Sequence, residues 1–203
     1  MSYKRKTVCP ERGETNDVLV QRAQAGCQDS FVALLERHRP MLWRVAYRMT
    51  ANGDDALDVC QEIIIRIWRG LPKYRGADTF GAWARRIAVN EAIRWGRRRR
   101  GDNHCSIEDV EIDRVASAQC LPNARAALED EERRMRIKAA MGALSPKQRA
   151  AISLRVYEEM SLAEIAETMG CGLGTVKRHL FRAMGKLRRI LGKKEQDNEQ
   201  TPD

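Results

Sequence analysis

No apolar run in the sequence is long enough to span a bilayer. The opening residues, MSYKRKTVCPERGE, carry charge but no apolar stretch of the kind that drives secretion. Together these absences predict a soluble, cytoplasmic chain with no membrane insertion. Metal-ligand spacing is missing as well. The six cysteines, at 9, 27, 60, 105, 120 and 171, form no CxxC, and no HxxxH or CxxH occurs. His104 and Cys105 are adjacent but have no matching second half, so reduced, unligated thiols and no metal are expected. No Gly-rich phosphate loop stands out, and neither Tyr74 nor Tyr157 has a paired base, so no catalysis and no cofactor are expected. Runs of alternating β-branched residues and internal repeats are also absent.

What remains is helical and basic. The 203 residues suffice for one or two domains, and 43% are hydrophobic, enough for a sizeable core. A net charge of +9 favours an anionic partner: nucleic acid, an acidic protein or a membrane surface. Asn16 or Asp17 is expected to cap a short helix through Gln24, ended by Gly26. A longer pattern follows (Phe31, Leu34, Leu35, Leu42, Val45, Ala46, Met49), in which Pro40 should kink or break the helix. Asp54 and Asp55 open a third helix whose inner face is Ala56, Val59, Cys60, Ile63, Ile64, Ile67 and Leu71. Its outer face carries Asp58, Gln61, Glu62, Ile65, Arg66 and Arg69, with Ile65 as the odd apolar member. After the loop LPKYRGAD, Asp78 or Thr79 can cap a helix running from Phe80 into four arginines at 97–100. Eight of the eleven aromatics lie between Phe31 and Trp95, which marks residues 16–100 as one helical domain after a flexible 1–15.

Periodicity fades at 101–127. From Glu108 to Glu132 eight acidic residues face only Arg114 and Arg125, the mark of an acidic, flexible linker. A second helical set occupies 128–192, before a polar, disordered tail at 193–203. Ser145-Pro146-Lys147-Gln148 and Ser161-Leu162-Ala163-Glu164 are capping boxes. SLAEIAETMGCGLGTVKRHLFRAM has the layout of a helix-turn-helix. Leu162, Ile165, Ala166 and Met169 face inward, Gly170 makes the turn, Gly172 stands at the next N-cap, and Val176, Leu180 and Met184 pack the second helix back. That helix then shows Thr175, Lys177, Arg178, His179, Phe181 and Arg182 outward. Its cations can meet phosphates and guanine edges in a major groove.

The whole pattern resembles the extracytoplasmic-function (ECF) sigma factors of bacterial RNA polymerase. DALDVCQEIIIRIWRGL is similar to that family's core-binding helix in region 2. YRGADTFGAWARRIAVNEAIR is similar to its −10-reading segment, and the stretch from Leu144 to Leu191 to its region 4. The resemblance implies an all-α fold of two domains, a region 2 bundle and a region 4 helix-turn-helix, joined by the acidic linker. It implies core RNA polymerase and promoter DNA as partners, an anti-sigma factor as regulator, and a linker that threads the polymerase cleft. Asp58, Gln61, Glu62, Ile65 and Arg69 would grip polymerase. Lys73, Tyr74, Arg75, Phe80, Arg86, Asn90 and Arg94 would open and hold the −10 element. The outward residues of the last helix would read the −35 element. Two departures bear on specificity: Lys177-Arg178-His179 stands where the family usually has a KSR-type triplet, and Leu57 replaces a common acidic residue. TVKRHL is also similar to the LuxR-like activators, which remain the alternative for the terminal motif taken alone.

Overall fold

The computed structural model describes residues 14–76, 79–101 and 124–197. Among these residues eight α-helices follow in order: α1 Asn16–Gln24, α2 Gln28–Thr50, α3 Gly53–Gly70, α4 Phe80–Gly101, α5 Ala124–Ala143, α6 Pro146–Val156, α7 Leu162–Met169 and α8 Leu173–Asp197. A single 3-10 turn, Leu71–Lys73, follows α3. No strand occurs among the described residues.

The first module is built on α2, which packs against α1, α3 and α4. Leu19, Leu34, Ala46, Ile63, Ile67 and Ala88 are among the side chains sealed from solvent between these helices. The inner face of α3 follows its sequence pattern except at Ile64, which lies at the exposed rim. The Asn52 side chain caps α3 by accepting from the Asp55 amide at 3.0 Å, a bond worth about 1 kcal/mol. Thr79 likewise accepts from the Ala82 amide at 3.3 Å and opens α4. In the second module α8 packs on α5, α6 and α7. Both capping boxes form, at Ser145–Gln148 and Ser161–Glu164.

Several expectations give way. α2 runs unbroken through Pro40. A proline deprives the helix of one N–H and presses on the preceding turn, but Leu34, Met41 and Leu42 are buried on both sides of it and hold the helix in line. The N-cap of α1 is Thr15, not Asn16 or Asp17, and its side chain makes no capping bond. Glu14, expected in a flexible terminus, accepts from Arg22 at 2.7 Å, and its carbonyl accepts from Arg37 at 2.5 Å. α5 begins at Ala124, inside the expected linker, and α8 continues to Asp197, inside the expected tail. The rest of the linker, Asp78, and residues 1–13 and 198–203 lie outside the described residues.

Candidate nucleic-acid interface

The helix-turn-helix depends on one backbone reversal. Gly170 ends α7 at φ +60°, a left-handed conformation that suits glycine. Its N–H bonds Glu167 O at 3.1 Å, and the Cys171 N–H bonds Ala166 O at 2.9 Å, which closes the carbonyl end of α7. α8 then starts with the Thr175 and Val176 amides donating to Gly172 O, so Gly172 stands where an N-cap was expected. Val176 and Ala183 are fully buried, and Leu180 and Leu187 pack beside them. Met184 is 44% exposed instead of packing back. The inward stripe steps from 176 to 180, 183 and 187, and this spacing turns 184 toward solvent.

The opposite side of α8 is a preformed surface. Lys177, Arg178 and Arg182 are exposed, Phe181 is 83% exposed, and Thr175 and His179 are half-buried at its edge. The imidazole of His179 is held below its ordinary pKa, first by burial and then by the charges of Lys147, Arg178 and Arg182. A neutral ring amid three cations becomes easier to protonate when a phosphate approaches.

The segment expected at the −10 element is built differently. Tyr74, Phe80 and Trp83 form one ring cluster, with Tyr74–Phe80 centroids at 6.0 Å and Phe80–Trp83 at 5.6 Å. His38 of α2 lies 5.1 Å from the Phe80 ring. Its pKa is lowered by burial and by Arg37 and Arg85, so a neutral imidazole sits against the core. Phe80 is only 2% exposed, so its ring belongs to this core and supports Tyr74 from beneath. Gly70 makes room for the cluster, since a Cβ there would meet the Trp83 ring at 3.0 Å. Tyr74 is half-buried, and Lys73 and Arg75 beside it are exposed. Along α4, Arg86 and Asn90 are half-buried and Arg94 is exposed, and the three follow one another at fourth positions on one face. The Asn90 amide donates to Arg86 O at 2.9 Å, leaving its own carbonyl oxygen to accept from a base or sugar.

A third surface lies along α3. Asp58, Gln61, Glu62, Ile65 and Arg69 are all exposed. The first four line a groove with Glu91, Trp95 and Arg98 of α4, enclosing a cavity of about 320 Å3. Glu91 is 2% exposed and pairs with Arg66 at 2.5 Å and Arg94 at 2.6 Å. It thereby ties α3 to α4 beneath the groove. Sequence reasoning named none of the α4 wall, although positions 91, 95 and 98 share a helical face. Among the described residues no group of three His, Cys, Asp or Glu side chains is placed to hold a metal, and no helix is long and apolar enough to cross a membrane.

The comparisons match this division. The Sigma-70 region 2 family model covers residues 34–101, and the Sigma-70, region 4 model covers residues 134–187. The chain is 34% identical over 173 residues to the ECF RNA polymerase sigma-E factor of Escherichia coli (strain K12), covering 83% of this chain and 90% of that protein. Its structure is similar to that of CnrH in complex with the cytosolic domain of CnrY, with TM-score 0.59 and 25% identity over 89% of this chain and 99% of that one. It is also similar to the sigma factor RpoE in complex with the anti-sigma factor NepR from Bartonella quintana, with TM-score 0.57 and 26% identity over 80% and 96% of the two chains. The region 2 match falls on α2 to α4, where a LuxR-like activator would carry an unrelated sensory domain, so the helix-turn-helix does not belong to that class. The chain belongs to the ECF sigma factors, whose two modules here correspond to Sigma-70 regions 2 and 4.

Proposed function

We propose that this sigma factor docks on core RNA polymerase through the α3 face, reads the −35 element with α8 and opens the −10 element with the Tyr74 loop and α4. The observation that carries this reading is the separation of three exposed surfaces by chemistry. The α8 face is cationic around an exposed ring and suits duplex phosphates and base edges. The α3 groove mixes acids, an amide, a cation and one aliphatic residue around a cavity, which suits a protein partner. The Tyr74 loop offers a half-buried ring flanked by exposed cations, which suits an unstacked base and its phosphates.

On this reading Asp58, Gln61, Glu62, Ile65 and Arg69 contact polymerase. Thr175, Lys177, Arg178, His179, Phe181 and Arg182 meet the upstream duplex. Lys73, Tyr74, Arg75, Arg86, Asn90 and Arg94 act on the melted strand, while Phe80 holds the loop from the core. The linker carboxylates occupy the cleft until transcript displaces them. Bond-making belongs to polymerase; the chain lends it specificity and strand opening. One solved relative, the sigma factor RpoE of Bartonella quintana, was captured with an anti-sigma factor, and a regulator of that class is part of this reading. The test is transcription from a promoter library by purified core enzyme plus this chain. Initiation from a defined subset sharing two spaced sequence blocks is expected. Activation or cleavage of DNA by the chain without core would overturn the reading.

A further inference from the structure

α6 lies against α2 and α4, and α7 lies against α4. The two ends of this seam treat positive charge differently. At α2 the cations are met by a carboxylate. Glu158, its side chain only 10% exposed, accepts from Arg48 at 2.5 Å and sits 3.8 Å from Arg44. At α4 the cations gather around a cavity instead. Gly96 lies so near Pro146 that a Cβ on it would stand 3.1 Å from the proline side chain. Arg97 and Lys147 follow that touching pair in the sequence, and both line one cavity of about 180 Å3. Arg94 adds a third cation to its wall, Ile93 and Met169 give it apolar sides, and none of its lining residues is acidic.

Each of the three cations has donors to offer there. Arg94 donates to Glu91 through one nitrogen, at 2.6 Å, and a guanidinium carries five N–H groups. Arg97 is exposed, and Lys147 is half-buried. The charge of Lys147 reaches well beyond its own helix: the pKa of His179 on α8 is lowered first by burial and then by Lys147.

Like charges held together at a packed seam repel one another. An anion between them removes that cost and gains charge-assisted hydrogen bonds. Lys147 also stands in the first turn of α6, where the positive end of the helix dipole favours a ligand of the same sign. The cavity has the volume of about six water molecules, room for a small anion and not for a duplex. Its three cations come from two helices, so they suit a ligand with more than one negative centre.

We propose that this cavity is a binding site for a small diphosphate-bearing molecule, held by Arg94 and Arg97 of α4 and Lys147 of α6. The inference goes beyond the sigma-factor reading. The isolated chain binds the ligand without polymerase or promoter, so failure of the site leaves that reading untouched.

The test is calorimetric titration of the full chain with inorganic pyrophosphate, at about 0.15 M salt and without divalent cations. A single site tighter than about 1 mM is expected. Arg97→Ala and Lys147→Ala should each weaken it about tenfold or more, while Lys147→Arg should hold it within about threefold. Circular dichroism checks that each variant is folded, and with two positions tested one misfolded variant leaves the other to decide. A parallel titration with a short single-stranded oligonucleotide separates a free diphosphate from the phosphates of DNA. Pyrophosphate affinity that falls in the alanine variants while oligonucleotide affinity holds supports the proposal. No pyrophosphate binding by the native chain, or equal binding by the native chain and the folded alanine variants, would overturn it. Loss of oligonucleotide binding alone would assign the cavity to the DNA backbone and overturn it too.

Discussion

The proposed −35 face and the proposed −10 face are both read as DNA-binding surfaces, yet the fold builds them in opposite ways. On α8 the contact residues stand clear of the core: Val176 and Ala183 carry the packing while Phe181 and its neighbouring cations face solvent. On the proposed −10 side the candidate residues are also tied into the packing of the module. Phe80 is buried under Tyr74, the Asn90 amide bonds its own helix, and Arg94 pairs with buried Glu91. On the proposed reading the difference follows from the targets. A duplex offers a groove of nearly fixed shape, so a rigid projecting helix suffices. An unstacked base needs a pocket that repays a few kcal/mol of unstacking, and pockets are made from core.

The sharpest attempt to break this contrast is Phe80→Ala. Truncating a buried phenylalanine costs about 3–5 kcal/mol, and in a module of this size the loss should lower the melting temperature by roughly 12 °C or more. Thermal unfolding followed by circular dichroism measures it. An unchanged melting temperature combined with lost promoter opening would place the ring on DNA instead.

Asp58→Arg comes next. Reversing a charge in the α3 groove should weaken core-enzyme binding about 100-fold, equivalent to about 2.7 kcal/mol. The melting temperature and binding of a −35 duplex should hold. Competition binding against native chain gives the ratio, and a parallel loss of duplex binding would show that the surfaces are not separate.

Lys177→Ala and Arg182→Ala should each weaken −35 duplex binding about tenfold and flatten its salt dependence, since fewer counterions are released. Neither should change stability or polymerase binding. If either variant unfolds early, the α8 face is not the free-standing surface described here.

The smallest expected effect concerns pH. The folded pKa of His179 is depressed, so the ring is neutral near pH 7. A bound phosphate raises that pKa, so binding takes up a proton and affinity rises as pH falls. Between pH 7.5 and 6 the −35 duplex should bind about threefold more tightly on this account, and His179→Ala should remove the trend. A native chain whose affinity falls over that range would contradict the placement of His179 against phosphate.

The two halves of the contrast were not equally legible in the sequence. The α8 surface reads well because one helix contains it: capping boxes, a glycine turn and a periodic apolar stripe leave the remaining positions outward. Only Met184 misled, since 180 to 184 and 180 to 183 are both helical steps and the choice between them is made by α6. The −10 side reads poorly because Phe80 is covered by His38, Tyr74 and Trp83, which reach it from three segments. Pro40 reads as a break because local preference ignores the packing on either side of it. Glu158 and Arg48 lie 110 residues apart, and nothing in either local pattern announces their meeting.

The division of labour is tested most directly by open-complex formation with core enzyme, read as permanganate reactivity of unpaired thymines, for Lys177→Ala and Tyr74→Ala side by side. The account predicts that Lys177→Ala lowers promoter occupancy while the complexes that form still melt, and that Tyr74→Ala keeps occupancy but loses reactive thymines. Equal loss of melting per bound complex in both variants, or no unpaired thymines with the native chain at any promoter, would contradict it.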